Sequence, residues 1–168
     1  GAINDNYVLT AGLDLLNTTQ IYLSPSNLPG PVFDLTGIED FKCRDLTIDN
    51  LHITQLDLSG LDFKGASQLN TTNRLRIYMN QYLEELILPV NNDTIELIVD
   101  GNDSLSNVVF HSSQRFNIIN FHNHINLCEL IFKGKIVTGP ATWMSPEINI
   151  SNSPNIIQLD FSGITDAP

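Results

Sequence analysis

Apolar residues recur along this chain with a period of eleven positions. From Leu46 onward, ten short segments, called units below, each carry an apolar residue at the first and third place, with a more variable residue between them. Side chains alternate faces along a β-strand, so this pattern predicts a short strand with one face inward. The units start at residues 46, 56, 75, 86, 97, 108, 119, 130, 148 and 159, so the phase survives two insertions of similar length.

A polar turn follows most units. Eleven residues are too few for a strand and a crossover helix, so successive units must form strand, turn, strand and turn, a coil of about 22 residues. Asn or Gly near the fifth or sixth place of a unit tolerates the left-handed backbone that tight turns need. These turn residues are Asn50, Gly60, Asn80, Asn91, Asn102, Asn123, Asn152 and Gly163.

The repeat predicts the fold class. We expect a mainly β solenoid with parallel sheets, about 22 residues per coil and little helix, because stacked coils bury a shared core. Residues 46–168 are expected to form this solenoid. Residues 1–45, with three prolines between positions 25 and 31, are expected to form an irregular N-terminal cap within the same single domain.

Several units resemble a known repeat. "LEELILPVN" (Leu83 to Asn91) and "ITQLDLSG" (Ile53 to Gly60) resemble leucine-rich repeats, whose short form is LxxLxLxxN. More narrowly, "DLTGIEDF" (Asp34 to Phe41) followed by "ITQLDLSG" resembles the start of internalin-like repeat regions of Bacteroidetes surface proteins. The resemblance covers roughly residues 30–163, and "VVFHSS" and "INFHNH" depart from it. It implies a leucine-rich-repeat solenoid, a secreted or cell-surface location and repeats that are not catalytic.

The composition of the chain disfavours some classes of binding partner. The formal charge of −11 arises from 19 acidic and 8 basic residues without a basic cluster, which argues against nucleic acid or an anionic membrane surface as the partner. The sequence has no run of about 18 apolar residues, so no segment is expected to insert into a membrane. Since only 16% of residues are charged, Asn, Ser, Thr and Gln supply much of the polar surface.

One outward row of side chains is aliphatic. In alternate units the second residue faces outward on the same side, and this places Ile87, Val109 and Ile131 next to one another with Asp57 and Asp160 at the two ends. We call Ile87, Val109 and Ile131 the aliphatic stripe. An exposed stripe of this kind favours a binding surface. The alternative is that Ile and Val occur there only because they favour strands on a half-covered sheet.

The two insertions carry aromatic residues. The segments Gly60–Asn73 and Gly134–Glu147 follow the units at 56 and 130 and are expected to leave the same edge of the solenoid. They contain Phe63 and Trp143, the only Trp of the chain. Insertions in repeat proteins often collect on the binding face, so we expect a ligand between these loops and the aliphatic stripe. Alternatively, both aromatic side chains fold back as loop anchors.

Two histidines in "NFHNHINL" are the candidates for an enzyme site. His122 and His124 could bind a metal, and the repeat places Asp100 beside His122. However, His124 falls at the sixth place of its unit, where Asn80 and Asn102 stand in earlier units. A structural role in a turn is therefore the favoured interpretation, and a metal-dependent hydrolase at His122 and His124 is the disfavoured alternative. We expect no cofactor.

The cysteines are too far apart to pair. Cys43 and Cys128 are separated by about three coils, near 14 Å at strand spacing, beyond the ~7 Å Cα limit of a disulfide. The sequence therefore predicts two free thiols.

These features favour a non-catalytic binding or adhesion module of a bacterial cell-surface or secreted protein, with a protein or glycan ligand. A structural spacer within a larger surface protein is the main alternative. The unit at Leu159 leaves few residues to cover the last strands, so we also expect self-association or a further domain at the C-terminal end.

Overall fold

The computed structural model describes residues 20–23, 32–34, 45–59, 73–90, 94–137 and 146–166. These residues contain strands and turns and no helix. The strands are β1 (Gln20–Leu23), β2 (Val32–Asp34), β3 (Asp45–Asp49), β4 (Gln55–Asp57), β5 (Asn73–Tyr78), β6 (Glu85–Ile87), β7 (Thr94–Asp100), β8 (Asn107–Val109), β9 (Arg115–His122), β10 (Glu129–Ile136), β11 (Glu147–Ser151) and β12 (Gln158–Asp166).

The strands form two parallel sheets. The larger sheet has eight strands in the order β1-β3-β5-β7-β9-β10-β12, with β11 also beside β9. The smaller sheet has four strands in the order β2-β4-β6-β8. From β1 to β9, consecutive strands therefore alternate between the two sheets. The mainly β class and the parallel pairing predicted from the sequence are confirmed.

The pairing register follows the units. In the larger sheet the first residue of a unit pairs with the first residue of the unit two further on, as Leu75 does with Leu97 and Leu97 with Ile119. In the smaller sheet Leu86 pairs with Val108 in the same way. Residues in equivalent places are therefore 22 positions apart where no insertion intervenes.

Both sheets contribute to one hydrophobic core. The first and third residues of the units at 46, 56, 75, 86, 97, 119 and 130 are all buried, as the alternation predicts. At about 1.5–3 kcal/mol for each fully buried large apolar side chain, this repeated burial is the main driving force for the fold. The last unit differs, because Leu159 and Phe161 remain 44% and 45% exposed.

The turns after the larger sheet share one backbone conformation. The fifth place of each of these units has a positive φ, between 48° and 69°. In the first four of these turns the backbone N–H of the fifth-place residue donates to a carbonyl of the next strand in the sheet, as Gly101 does to His122. The fifth-place residues are Asn50, Met79, Gly101, Asn123 and Asn152.

The N-terminal segment contributes to both sheets. Within residues 1–45, for which the sequence predicts an irregular cap, β1 pairs with β3 and β2 pairs with β4. Ile21 lies opposite Leu46 and Phe33 opposite Leu56, the places that begin units. The parallel arrangement therefore starts before the first unit recognised in the sequence.

The second insertion begins later than predicted. Residues 134–136 belong to β10, and Lys135 and Ile136 pair with the start of β9, whereas β11 pairs with the rest of β9. The chain between β10 and β11, residues 138–145, lies outside the described residues. The first insertion connects β4 of the smaller sheet to β5 of the larger one. The expectation that both insertions leave the same edge of the solenoid stays a prediction.

Candidate ligand-binding face and the turn ladder

Two residues of the aliphatic stripe, Ile87 and Val109, lie on the outer face of the smaller sheet. Asp57 pairs with Ile87 and Ile87 with Val109, through β4, β6 and β8. The side chains of Asp57, Ile87 and Val109 are half-buried. They face outward, because the inward places on the same strands are occupied by residues such as Leu56 and Leu86. This part of the stripe forms the row that the sequence predicts.

The stripe has a second part on β10 and β12. Ile131 pairs with Asp160, and Ile131 is 38% exposed. β10 also contacts β8, the strand that carries Val109. The aliphatic residues Ile87, Val109 and Ile131 therefore lie in the middle of the row. Asp57 and Asp160 lie at its two ends.

Both terminal aspartates are held by nearby serines. Asp57 Oδ1 accepts hydrogen bonds from the backbone N–H of Ser59 at 2.9 Å and from its Oγ at 2.6 Å. Asp160 Oδ1 accepts one from the backbone N–H of Ser162 at 2.8 Å. The hydrogen bonds from Ser162 lower the pKa of the Asp160 carboxyl below its ordinary value. Asp160 therefore stays charged at neutral pH.

A polar row lies beside the aliphatic stripe. The carboxylate of Glu85 accepts a hydrogen bond from Gln55 Nε2 at 2.5 Å and another from Asn107 Nδ2 at 2.6 Å. Glu129 and Gln158 occupy the equivalent places on β10 and β12. The sequence-based choice of site residues missed this row. It could have been found, because the residue just before each unit start also faces outward.

The two loop aromatics belong to the part of the chain that is not described. Phe63 lies between β4 and β5, and Trp143 lies between β10 and β11, both outside the described residues. Their predicted participation in a ligand site stays a prediction.

His124 belongs to a buried ladder of turn residues. Asn80 Nδ2 donates to the backbone oxygen of Ile48 at 3.2 Å, and Asn102 Nδ2 donates to that of Ile77 at 3.0 Å. His124 Nε2 lies 3.0 Å from the backbone oxygen of Val99, the equivalent acceptor one layer further on. The prediction that His124 replaces an Asn in a structural row is confirmed.

Burial and hydrogen bonding to carbonyl groups change the pKa of His124 in opposite directions. Desolvation lowers the pKa of His124 below its ordinary 6.5, and the carbonyls of Val99 and Asn102 partly offset this. Asp100 also raises the pKa of His124, whereas His122 lowers it. The shorter contact, to Val99, places the proton of the neutral ring on Nε2, since Nδ1 lies 3.4 Å from the Asn102 oxygen.

His122 has other partners than the sequence suggested. Asp100 pairs with His122 in the register of β7 and β9, as expected. However, Asp100 Oδ1 accepts a hydrogen bond from Asn123 Nδ2 at 2.7 Å, and His122 Nδ1 lies 2.6 Å from Ser151 Oγ. Among the described residues, no three His, Cys, Asp or Glu side chains are grouped as metal ligands.

Cys128 is exposed and has a free thiol, whereas Cys43 lies outside the described residues. The described part of the chain has no helix that is long and apolar enough to cross a membrane. Comparisons with protein-family models, with curated proteins and with solved structures find no match to this chain.

Proposed function

We propose that the protein is a non-catalytic binding or adhesion module of a bacterial cell-surface or secreted protein. Its ligand, a protein or a glycan, binds the outer face of the smaller sheet and the adjacent outward residues of β10 and β12. The observation that carries this proposal is the row Asp57, Ile87 and Val109, continued by Ile131 and Asp160, in which half-buried to exposed aliphatic side chains lie between two acidic ends.

The chemistry of this face supports such a ligand. Aliphatic side chains in register contribute contact area at little conformational cost, because branched side chains on strands are already restricted. The Glu85 carboxylate, held by Gln55 and Asn107, is a fixed hydrogen-bond acceptor beside the aliphatic stripe. A fixed polar group next to an apolar surface orients a ligand, whether its donors are peptide N–H groups or sugar hydroxyls.

The fold belongs to the same proposal. We infer that the two parallel sheets are opposite sides of a leucine-rich-repeat solenoid, with the loops containing Phe63 and Trp143 flanking the ligand. The 22-residue step between paired strands and the strict alternation of β3 to β9 between the sheets support this arrangement. Surface or secreted location rests on the resemblance of the repeats alone.

The experiment is a binding screen with matched variants. The purified chain is tested against immobilised collagen, fibronectin and laminin and on a glycan array. For any probe that binds, Val109→Lys and Ile131→Lys are compared with Ile98→Lys, an outward residue of β7 on the larger sheet. Loss of at least about tenfold in affinity is expected for the stripe variants, with little change for the control.

Two outcomes would overturn the proposal. If a probe binds and the stripe variants bind it as tightly as the native chain, the ligand uses another surface. If no probe binds the native chain, the spacer function is favoured instead.

A further inference from the structure

The aliphatic stripe is bordered by carboxylates. Glu85 and Glu129 lie in the polar row beside it, and Asp57 and Asp160 lie at its two ends. Glu84, on the turn that leads into β6, is exposed as well. We call these five residues the acidic margin. A ligand that covers the stripe therefore meets negative charge at both ends and along one side.

Neutral groups hold three of these carboxylates in place. The amides of Gln55 and Asn107 donate to Glu85, and serine hydroxyl or backbone N–H groups donate to the two aspartates. These donors orient the carboxylates without cancelling their charge. On the larger sheet, by contrast, Arg74 Nε lies 3.0 Å from Glu96 Oε2 and neutralises it. The smaller sheet thus offers oriented, charged acceptors to a cationic ligand.

The turns that enter the smaller sheet carry the same sign of charge. Together with the adjoining strand residues they contain eight acidic residues and no Lys or Arg. They comprise residues 49–57, 78–87, 100–109, 122–131 and 151–160, all within the described part of the chain. Outside the described residues, no segment of the sequence has a net positive formal charge. The negative potential at this side of the stripe is therefore a property of the whole chain.

A cation lies on the opposite side of the stripe. Lys133 is exposed on β10, two residues after Ile131, whereas Glu129 lies two residues before Ile131 on the same strand. Side chains two apart on a strand share a face, so all three point outward. A basic ligand is attracted toward Glu129 and repelled from Lys133, and the charges of the face therefore also set where the ligand lies.

The length of the row sets the length of the ligand. Asp57 on β4 and Asp160 on β12 stand four strand spacings apart, about 19 Å at ~4.8 Å per strand. An extended peptide advances about 3.3 Å per residue, and every second side chain points the same way. The first and seventh residues of such a peptide are therefore ~20 Å apart and share a face with the third and fifth. Basic residues at the two ends reach the aspartates while apolar residues between them cover the stripe.

We propose that this face binds an extended segment of another protein in which two Lys or Arg residues, six positions apart, flank two apolar residues on the same side. The basic residues pair with Asp57 and Asp160, and the apolar residues contact Ile87, Val109 and Ile131. The proposal rests on the proposed function of this face and narrows its ligand to a basic protein segment. A neutral glycan gains little from charged carboxylates, and a sulfated or sialylated one is repelled by them.

The probe is the peptide "KSLSLSK" with blocked ends. It is titrated into the whole chain at low salt, and backbone amide shifts are followed by NMR. We expect saturable shifts centred on β4, β6, β8 and Ile131. The peptide "KKSLLSS" has the same composition without the spacing, and "ESLSLSE" has the spacing with the opposite charge. Each of these two should bind about 5-fold or more weakly.

Variants that change one charge locate the contact. Asp57→Asn and Asp160→Asn keep the shape of the side chain and should each weaken binding of "KSLSLSK" by about 2- to 5-fold. Lys133→Gln should strengthen it by about twofold. Glu147→Gln, a change at an exposed residue of the larger sheet that also removes one charge, should leave the affinity unchanged.

Three outcomes would overturn the proposal: no saturable binding of "KSLSLSK", equal binding of "KKSLLSS", or shifts centred on the larger sheet. The proposed function fails in a different way, namely if a probe that binds the native chain binds Val109→Lys as tightly. If instead a probe loses affinity for Val109→Lys but binds Asp57→Asn and Asp160→Asn as tightly as the native chain, the face binds an uncharged ligand. The proposed function then stands and the basic segment is excluded.

Discussion

His124 Nε2 lies 3.0 Å from the backbone oxygen of Val99, in the same place of the turn where Asn102 Nδ2 lies 3.0 Å from the backbone oxygen of Ile77. An imidazole and a carboxamide thus donate to equivalent carbonyls in consecutive layers. The two side chains differ in one respect. The Oδ1 atom of an Asn also accepts from the layer before it, as Asn102 Oδ1 does from the backbone N–H of Asn80.

This equivalence predicts that His124→Asn is well tolerated. The new side chain can donate to Val99 and can offer an oxygen to Asn102, so the free energy of unfolding should stay within about 1 kcal/mol of the native value. His124→Ala removes the donor and leaves a buried carbonyl and a cavity, so it should cost about 2–4 kcal/mol. Urea denaturation measures both. Equal losses for Asn and Ala would show that the ladder hydrogen bond contributes little.

The same residue predicts a pH dependence of stability. Burial lowers the pKa of His124 in the folded chain, so below the ordinary 6.5 the unfolded chain binds a proton more readily than the folded chain does. Stability contributed by His124 is therefore complete above pH 6.5 and declines as the pH falls toward the lowered pKa of the folded chain. Denaturation midpoints measured between pH 7.5 and about 5 should fall for the native chain.

The control for this prediction is His124→Asn, which has no titrating group at that place. The native chain should lose stability relative to the variant as the pH falls. A constant difference across the range would mean that His124 is not responsible for the pH dependence.

The sequence predicts the interior of the fold well, because the period reports burial directly. The places of Leu75, Leu97 and Ile119 follow from one frame, and the register confirms them. The row containing His124 follows from the same frame, since equivalent places in a repeat share one environment. The position of a residue within its unit therefore predicts its burial better than the type of its side chain does.

The sequence did not predict the parts of the fold where the spacing between equivalent residues of paired strands changes. Ile21 pairs with Leu46 and Phe33 with Leu56, at separations that differ from the regular step, so the period does not find β1 and β2. Gly134 in β10 has φ +122°, a backbone conformation that no periodicity reports. Hydrogen-bond partners on the surface, such as Gln55 and Asn107 around Glu85, depend on rotamers and not on phase.

Two phenylalanines in the same place of different units should differ in their contribution to stability. Phe121 is fully buried and contacts the rings of Phe110 and Phe132, whereas Phe161 is 45% exposed and stacks on Phe132. Phe121→Ala should cost about 3–5 kcal/mol, and Phe161→Ala should cost less than half as much. Urea denaturation of the two variants gives the comparison. A loss at Phe161 as large as that at Phe121 would indicate that the Phe161 side chain is covered in solution.

Two glycines with positive φ should differ in how strongly a substitution destabilises the fold. Gly134 has φ +122°, and a Cβ there would lie 3.0 Å from the backbone oxygen of Gln114 and 3.2 Å from Phe116 Cε2. Gly134→Ala should therefore cost about 2–3 kcal/mol, because both the backbone conformation and the space exclude a side chain. Gly101 has φ +69°, in the left-handed region that Asn50, Asn123 and Asn152 adopt at the same place.

At Gly101 the three heavy atoms nearest to an added Cβ all belong to the Met79 side chain, with Sδ at 2.5 Å, and a flexible side chain can move. Gly101→Asn should therefore change stability by no more than about 1 kcal/mol. Thermal denaturation of the two variants tests both claims. If Gly101→Asn were as destabilising as Gly134→Ala, the turns would not be equivalent, and the repeated conformation at the fifth place would not be what allows Asn and Gly to exchange there.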